Sequence, residues 1–463
     1  MSEIILRDYQ NDALNNLRTM YSSGVKNALI TLPTASGKTV FFTELTRLTA
    51  NKNNRVTICV HRQELLEQTS KTLTDFGVEH SLICAGSRVL NTPVQVAMIQ
   101  TLVRRLDQWD KPDLLICDEA HLSRAATWKK VIDSVDGYVL GVTATPCRLD
   151  GKSLGDIYQK MWNGPDTAMM IKNGYLSPFV IYRGSAPDTS KIHTRMGEFN
   201  QKELSEATDN RTLIGDAVEH YRDICDGEPA IAFCTSVLHA EHTAEMFNKS
   251  GYNFKVLHGG LDDKTRASII NDLSNGKING ITSVNCVSEG TDIPVVSVAL
   301  LLRPTLSLST FLQQVGRSLR LSPGKKRAVI LDHAGNTHRH GMPDSHREWS
   351  LTEDIKQSKK TEAKEESWRE CPKCYGYISM NAEICPQCGT KYVKREIEDI
   401  KTIDGKLELV TEEDFEDKVI EIEKINWLKS VGVGDMTDSQ LREYGKLMGY
   451  KSGWAWMQIQ RRK

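Results

Sequence analysis

Short apolar runs alternate with helical patterns along most of this chain. Up to about residue 178 the runs cover residues 28–30, 56–60, 94–99, 114–117 and 138–143. Most residues of each run are apolar, and the run 114–117 is continuously so, which is typical of a strand buried on both faces of a parallel sheet. The helical patterns between the runs predict helices that cover this sheet, so this part of the chain is predicted to be an α/β domain.

A connector containing Gly and Pro, residues 171–178, separates this region from a second one with the same alternation. The second set of apolar runs covers residues 230–234, 254–257, 280–284, 296–302 and 328–332. We therefore predict two tandem α/β domains, residues 1–177 and 178–347. Beyond them the chain becomes highly charged, and residues 348–370 are predicted to be an exposed helix or a flexible linker.

Composition narrows the class of protein. The chain has 463 residues, which is too many for one core, and 59 Lys and Arg against 60 Asp and Glu give a net charge of −1. No overall field points to a polyanionic partner, although a cleft between domains can be locally basic. We find neither a signal peptide pattern nor an apolar run long enough to span a bilayer, so we expect a soluble cytoplasmic protein without a membrane partner.

The segment 33–39, Pro-Thr-Ala-Ser-Gly-Lys-Thr, follows the first apolar run and precedes a helical pattern. Small residues allow successive backbone N–H groups to face an anion, and the following helix directs the positive end of its dipole to the same point. This context predicts a phosphate-binding loop in which Lys38 contacts the β- and γ-phosphates of ATP and the Thr39 hydroxyl ligates Mg²⁺. The predicted nucleotide-binding residues of the loop are Pro33, Thr34, Ala35, Ser36, Gly37, Lys38 and Thr39.

An ordinary strand-to-helix turn is the alternative interpretation of this loop, and a second motif argues against it. The apolar run 114–117 ends in Asp118 and Glu119, about 80 residues after the loop. Both carboxylates should lie at the carboxyl edge of the sheet, where ligands of open α/β sheets bind. Asp118 is predicted to hold Mg²⁺ and Glu119 to polarise the attacking water, which makes the chain a nucleotide hydrolase.

With these motifs in place, residues 6–341 resemble the DNA and RNA helicases and translocases of superfamily 2, of the DEAH type. The resemblance implies two tandem RecA-like domains with the P-loop NTPase fold, which clamp ATP between them and hold a nucleic-acid strand across their tops. Arg7 and Gln10 match the element that recognises adenine. Gly290 and Asp292 match the second-domain element that contacts phosphate and strand.

The same resemblance assigns contacts to the nucleic acid and a coupling role. The residues implied to contact the strand are Arg62, Thr101, Thr143 and Thr145. His121 is expected to relay the state of the γ-phosphate towards Thr143 and Gln313.

The segment 313–320 is expected to complete the hydrolytic site from the second domain, which has no phosphate loop of its own. Gln313, Arg317 and Arg320 match the family motif, and the two arginines lie three residues apart on a predicted helix, so they share a face. An arginine that reaches across the cleft neutralises charge on the γ-phosphate and accelerates hydrolysis by about 10³–10⁵. A solvated basic helix end is the alternative, and the correct order of all the motifs argues against it.

Within the superfamily the chain is most similar to the RadD-like DNA-repair helicases of bacteria and phages. This resemblance rests on residues 145–151, on residues 331–341 and on a cysteine cluster that follows them. It implies single-stranded, forked or branched DNA as partner, together with replication or recombination proteins. Two rivals stay open: a nucleic-acid clamp or scaffold whose ATPase does not separate strands, and an RNA remodeller, although the chain lacks the Asp-Glu-Ala-Asp form of many RNA-directed relatives.

Four of the 11 cysteines form two Cys-x-x-Cys pairs that are separated by ten residues. They are Cys371, Cys374, Cys385 and Cys388. Four thiolates in this arrangement predict a structural zinc in a compact ribbon, residues 371–390. A redox pair would need one such motif in a different fold context, and an iron–sulfur cluster is the remaining alternative. The other cysteines are scattered, as in proteins of a reducing compartment.

The accessory tail, residues 391–463, has an uneven charge distribution. Residues 391–424 contain seven basic and twelve acidic residues, whereas residues 425–463 contain seven basic and three acidic ones. Trp454 and Trp456 near the basic end suit stacking on bases. They equally suit the core of a small helical cap, which we favour slightly.

Overall fold

The computed structural model of the protein describes eleven segments of the chain, residues 5–123, 125–146, 153–183, 187–195, 197–284, 293–351, 368–370, 377–379, 408–410, 436–447 and 454–460. They form two seven-stranded sheets covered by helices, two short hairpins and a helical pair near the C-terminus. Within these segments no helix is both long and apolar enough to cross a membrane.

The first sheet is parallel throughout and is formed by the amino-terminal part of the chain. Its strands are β1 (Asn27–Thr31), β2 (Val56–Val60), β3 (Ser81–Ile83), β4 (Val94–Met98), β5 (Leu114–Asp118), β6 (Tyr138–Thr143) and β7 (Lys160–Asn163). Across the sheet they follow the order β3-β4-β2-β5-β6-β1-β7. The helices are α1 (Asp8–Ser22), α2 (Lys38–Ala50), α3 (Gln63–Asp75), α4 (Ile99–Leu102), α5 (Ala126–Ile132), α6 (Thr167–Lys172) and a 3-10 helix (Ala120–Leu122).

Burial on both faces explains why the apolar runs form strands. Successive side chains of a strand point to opposite faces, and both faces of this sheet are covered. Ile58 and Ile116 join one core with the helices on their side, whereas Cys59 and Cys117 join a second core on the other side. The central strands were predicted, and the short edge strands β3 and β7 were not, because their partly exposed residues form no continuous apolar run.

The second domain repeats this architecture. Its strands up to residue 332 are β8 (Phe179–Arg183), β9 (Thr194–Arg195), β10 (Glu198–Phe199), β11 (Ala230–Phe233), β12 (Phe254–His258), β13 (Gly280–Val284), β14 (Val298–Leu301) and β15 (Ala328–Asp332). β9 and β10 form a hairpin, and the others form a parallel sheet in the order β12-β13-β11-β14-β15-β8. The helices are α7 (Gln201–Thr208), α8 (Arg211–Cys225), α9 (Val237–Lys249), α10 (Asp263–Ser274), α11 (Leu308–Ser318) and α12 (Asn336–His340).

Three short strands follow the second domain. β16 (Trp368–Glu370) pairs antiparallel with β17 (Tyr377–Ser379). β18 (Glu408–Val410) pairs antiparallel with β8 and so becomes the seventh strand of the second sheet. This pairing was not predicted, because a three-residue edge strand gives no periodic signal in the sequence.

The last described elements are α13 (Asp438–Leu447) and α14 (Trp454–Gln460), which pack against each other. Their small core contains Met436, Leu441, Tyr444, Ala455 and Ile459. Trp454 packs against this core with its ring 5.9 Å from that of Tyr444, as the helical-cap interpretation predicted. Trp456 instead is 63% exposed, so this side chain is available to a partner.

Polar contacts join the two large domains. Thr145, after β6, donates a hydrogen bond from Oγ1 to Ser309 Oγ of α11 at 2.8 Å. Arg266 of α10 pairs with Glu64 of α3, with 2.5 Å between Nη1 and Oε1. The domains are therefore in direct contact, with α11 facing the carboxyl edge of the first sheet.

Candidate active site

The phosphate loop connects β1 to α2 at the carboxyl edge of the first sheet. Ala35 and Gly37 have positive φ values, 66° and 78°, and are therefore left-handed. Left-handed residues within such a loop make its N–H groups form a concave row that binds anions. Because α2 begins at Lys38, the positive end of its dipole points into the same concavity.

Several polar groups of the loop have no strong partner in the part of the chain that the structure describes. The Thr34 and Ser36 hydroxyls are buried, and neither makes a hydrogen bond within the described residues. Among the described residues, Lys38 donates from Nζ to the Pro33 carbonyl alone, at 3.4 Å. Buried polar groups of this kind indicate a missing polar ligand, and a phosphate group would satisfy them.

Helix α1 supports the loop from behind. Tyr9 donates from Oη to the Ser36 carbonyl at 2.5 Å, and Gln10 donates from Nε2 to the Gly37 carbonyl at 3.1 Å. Gln10 is only 3% exposed. The amide that was expected to read adenine thus supports the loop in this structure, and its contact with the base stays a prediction.

Arg7 and Tyr175 line the cleft beside the loop. The Arg7 guanidinium carbon lies 5.0 Å from the centre of the Tyr175 ring, and the Tyr9 ring packs edge-on against it at 5.2 Å. A cation next to an aromatic face suits a flat purine base. Tyr175 was not predicted, because the sequence shows only that it belongs to a connector.

The two predicted carboxylates lie at the end of β5 and line the same cleft as Lys38. Glu119 has a φ of 52°, a left-handed conformation that is costly for a residue with a side chain. Its N–H donates to Asp118 Oδ1 at 3.0 Å. The chain thus turns sharply directly after the strand, and both carboxylates remain at the sheet edge. Asp118 and the Thr39 hydroxyl offer hard oxygen ligands, which suit Mg²⁺.

The surroundings divide the pair electrostatically. Burial raises the pKa of Asp118, and the charge of Glu119 raises it further. Burial acts against ionisation of Glu119 too, but the hydrogen bond from His121 and the charge of Lys38 outweigh it and lower the pKa of Glu119. The neighbouring His61 acts to lower the pKa of both carboxyls, a role that was not predicted for this residue. Of the two carboxyls, Glu119 is therefore the one whose ionised form the surroundings favour.

The second domain closes the cleft, whose volume is about 340 Å³. α11 contributes Gln313 and Arg317, and Arg317 is 6% exposed. Arg320 lines the cleft too, but the prediction that it shares a helical face with Arg317 was wrong, since α11 ends at Ser318. Arg320 reaches the cleft from the turn after the helix.

Gly316 allows α11 to approach the phosphate loop closely. A Cβ at this position would lie 2.4 Å from Cγ2 and 2.6 Å from Cβ of Thr34. Real carbon atoms do not approach so closely, so only glycine permits this arrangement. The arginines of the second domain thereby reach a cleft that the first domain forms.

A series of polar contacts leads from the carboxylates to α11. His121 Nδ1 lies 3.3 Å from Glu119 Oε2 and 3.2 Å from Thr143 Oγ1. Thr143 Oγ1 is bonded to the backbone of Thr145, whose own hydroxyl donates to Ser309. His121 and Thr143 thus lie together as the family pattern implies, and the contact with the second domain passes through Thr145.

Arg62 and Thr101 lie away from the nucleotide cleft, at the same sheet edge. Arg62 follows β2 and Thr101 lies in α4 directly after β4, and these strands are parallel neighbours. Gln100 connects the two segments, donating from Nε2 to the His61 carbonyl at 3.1 Å. The structure therefore brings these two predicted strand contacts to one surface.

A larger cavity of about 540 Å³ also lies between the domains, on the other side of Thr34 and Gly316. Its described lining includes neither the loop lysine nor the carboxylate pair. The smaller cleft, which contains Lys38 and both carboxylates, is therefore the candidate nucleotide site. Among the predicted site residues, those outside the described part of the chain are Gly290, Asp292, Cys371, Cys374, Cys385 and Cys388.

Two family models match the chain. The model described as type III restriction enzyme, res subunit, matches residues 3–148. The model described as helicase conserved C-terminal domain matches residues 216–322. The first range contains the phosphate loop and both carboxylates, and the second contains the arginines of α11 and its turn.

Two relatives are similar over most of the chain. A 51.5 kDa protein of Lactococcus phage (isolate 7-9) is 32% identical over 401 residues, which are 86% of this chain and 85% of that protein. IRC3 of Saccharomyces cerevisiae, named as a candidate ATP-dependent helicase, is 29% identical over 356 residues, 72% of this chain and 52% of the yeast protein. The chain thus spans about half the length of the yeast relative.

Solved structures share the fold. A fragment of a candidate HsdR subunit of a type I restriction enzyme from Vibrio vulnificus YJ016 has a TM-score of 0.60 at 22% identity, covering 73% of this chain and 66% of that one. The ATP-dependent Type ISP restriction-modification enzyme LlaBIII bound to DNA has a TM-score of 0.55 at 19% identity, covering 70% and 27%. At these identities the likeness establishes the fold alone, that of two RecA-like domains.

Proposed function

The chain belongs to helicase superfamily 2, and on that basis we propose that it hydrolyses ATP between its two domains and uses the cycle to move along or remodel DNA. One observation carries this proposal. Lys38, Asp118 and Glu119 of the first domain line the same cleft as Arg317 and Arg320 of the second. Hydrolysis at such a site depends on how the domains are placed, so it can be coupled to their movement.

The roles of the first-domain residues follow from their places. The concave loop and Lys38 bind the phosphates, and Arg7 and Tyr175 receive the base. Glu119, whose ionised form the surroundings favour, orients the attacking water and accepts its proton. Thr39 and Asp118 would hold Mg²⁺, which when bound neutralises phosphate charge as a Lewis acid.

The second domain acts on the transition state. Arg317 is nearly buried at the cleft, where a cation stabilises developing phosphate charge more strongly than it would in water. Such an arginine accelerates hydrolysis by about 10³–10⁵. Gln313 lies one helical turn before Arg317 on α11 and lines the same cleft. The contacts from His121 through Thr143 and Thr145 to Ser309 couple the γ-phosphate to the position of α11.

We assign the surface around Arg62 and Thr101 to the nucleic-acid strand. DNA is favoured because LlaBIII, which shares the fold, was solved bound to DNA. We further place the chain with the RadD-like DNA-repair helicases, with replication or recombination proteins as partners, on the resemblance of residues 145–151 and 331–341.

The cysteine cluster is assigned to a structural zinc. β16 and β17 pair antiparallel, and Cys371 and Cys374 lie between them in the sequence. Zinc ribbons hold a structural zinc with Cys-x-x-Cys pairs of this kind. The pairing of β16 with β17 supports this proposal, because it brings together Glu370 and Tyr377, which lie on either side of the first cysteine pair in the sequence.

A second candidate function is an ATP-gated clamp on nucleic acid that does not separate strands. It is favoured by the hairpin of β9 and β10, which follows β8 of the second sheet and has only two residues in each strand. So short a hairpin offers little apolar surface to insert between base pairs.

The test is ATP turnover measured with single-stranded DNA, duplex DNA, forked DNA and RNA, with Glu119→Gln as the inactive control. Stimulation by DNA above that by RNA is expected. Stimulation by RNA alone would overturn the choice of DNA, and turnover that equals that of Glu119→Gln would overturn the ATPase. A strand-displacement assay beside a translocation assay separates the candidates: translocation without displacement would favour a translocase over a helicase, and the absence of both activities would favour the clamp.

A further inference from the structure

The turn after α11 brings a lysine back beneath the end of the helix. Lys325 donates from Nζ to the Val296 carbonyl at 2.7 Å, to the Arg320 carbonyl at 2.8 Å and to the Ser318 carbonyl. The turn itself is closed by a hydrogen bond from Lys325 N to Ser322 O, with Gly324 at a φ of 80°. One side chain thus holds three separate carbonyls.

These carbonyls belong to segments that form the walls of the nucleotide cleft. Ser318 is the last residue of α11, one position after Arg317, and Arg320 lies in the turn. Val296 lies two residues after Pro294, which lines the nucleotide cleft. Lys325 therefore connects the segment that carries both arginines to another wall of the same cleft.

A cation suits this place chemically. The last carbonyls of a helix lack partners within the helix and carry the negative end of its dipole. An ammonium group has three donors and no acceptor, so it can satisfy three carbonyls at once. The neighbouring Leu319 carbonyl is occupied by Ser177 N at 2.8 Å, so the end of α11 is held from two sides.

Burial lowers the pKa of Lys325 to about 8, and the charge of Arg320 acts in the same direction. Keeping an ammonium group here is thus unfavourable by itself. A neutral residue would be easier to accommodate beside the charge of Arg320. The presence of a lysine here is explained if its hydrogen bonds hold the segment that carries the arginines in place.

We propose that Lys325 is a positioning residue for ATP hydrolysis, which fixes the end of α11 and its turn so that Arg317 and Arg320 face the γ-phosphate. The lysine does not line the cleft and acts only through these arginines. The inference rests on the proposed ATPase function.

Lys325→Met tests it, with Lys326→Met as a matched control, since Lys326 is the adjacent exposed lysine. DNA-stimulated turnover gives kcat and KM for ATP, and thermal unfolding reports the fold. A displacement of about 1 Å costs up to about 100-fold in rate, so we expect kcat to fall by about 10- to 100-fold while KM changes by less than about threefold. Lys326→Met should behave as wild type, and Lys325→Arg should recover part of the rate because it keeps the charge.

A double-mutant cycle distinguishes positioning from general stabilisation. In the Arg317→Ala background, Lys325→Met should lower kcat by less than about a further threefold, because the arginine that Lys325 positions is already absent. A full additional loss would overturn the proposal, as would a wild-type kcat in Lys325→Met. If Lys325→Met does not fold, Lys325→Gln, which keeps two donors, replaces it in the same cycle.

Failure of the proposed function has a different signature. Wild-type protein without turnover on any nucleic acid would refute the ATPase itself. Active wild type with an equally active Lys325→Met protein would refute only the role of the lysine.

Discussion

Replacing Gly316 by alanine should block closure of the cleft without harming either domain. The added Cβ would lie 2.4 Å from Cγ2 and 2.6 Å from Cβ of Thr34. Carbon atoms pack at about 3.5–4.0 Å, so α11 and the loop must separate by roughly 1–1.5 Å. Rotation of the Thr34 side chain cannot relieve this, because its Cβ is fixed to the backbone.

The expected loss follows from that displacement. Arg317 is the next residue on α11 and moves with it, and a misplacement of about 1 Å at a catalytic group costs about 100-fold in rate, or about 2.7 kcal/mol of transition-state stabilisation. Alanine is intrinsically better than glycine in a helix by about 1 kcal/mol. Gly316→Ala should therefore unfold at the wild-type temperature or above it, and a loss of turnover cannot come from a weakened helix.

The assay is DNA-stimulated ATP turnover together with equilibrium ATP binding and thermal unfolding. ATP binding should largely persist, because the loop, Arg7 and Tyr175 belong to the first domain. Gly215→Ala on α8 is the matched control, since no described residue beyond its own helical neighbours lies within 4 Å of the added methyl group. Wild-type turnover in Gly316→Ala would refute the reasoning.

Rescue provides the stricter test. Thr34→Gly removes both atoms that the new methyl group meets, so the double variant should turn over ATP at the rate of Thr34→Gly alone. A double variant that stays as inactive as Gly316→Ala would show that the methyl group acts elsewhere.

Four further predictions follow from the site and its surroundings. Glu119→Gln should lower turnover by about 10²–10⁴ and still bind ATP, because an amide cannot accept the proton of water; single-turnover hydrolysis within a few-fold of wild type would contradict it. Arg317→Ala should lower kcat far more than ATP affinity, measured by equilibrium binding, and equal losses would mean that the arginine only holds the nucleotide. Metal analysis should find one zinc per chain, lost in Cys374→Ser while basal ATP turnover persists, and metal-free wild type would overturn the ribbon. Burial, and to a smaller extent the stacked His220, lower the pKa of His333 from 6.5 to about 3 in the folded protein. Between these two pH values the unfolded chain therefore binds more protons than the folded one, so the free energy of unfolding falls as the pH drops below about 6.5. His333→Phe should remove about 2–3 kcal/mol of destabilisation at about pH 4.5 in urea unfolding, and an unchanged profile would contradict this.

Much of the fold could be predicted because its central strands are buried on both faces. Such strands leave continuous apolar runs, and β2, β5, β6 and β15 lie where those runs are. Strands at the edge of a sheet leave no continuous apolar run in the sequence, because half of their surroundings is solvent or an unrelated part of the chain. β7 and β18 are therefore visible only in the structure.

The site divides in the same way. The loop and the carboxylate pair could be located because each depends on local geometry, a strand end followed by a turn. Gln10 and Tyr175 could not be placed, since their partners are distant in sequence and the choice between base and loop depends on packing. The prediction that Arg317 and Arg320 share a helical face was wrong, because helical periodicity alone does not show where tertiary contacts end a helix.

By itself the sequence determined two parallel α/β domains, the phosphate loop and the chemical groups available for hydrolysis, because burial and turn geometry act on neighbouring residues. Only the tertiary structure decided how those groups meet. The contact of Gly316 with Thr34, the Tyr175 ring beside Arg7 and the Lys325 ammonium beneath α11 each join residues that are distant along the chain. Such contacts are set by how the sheets and helices pack, and no local pattern of residues encodes the distance between two domains.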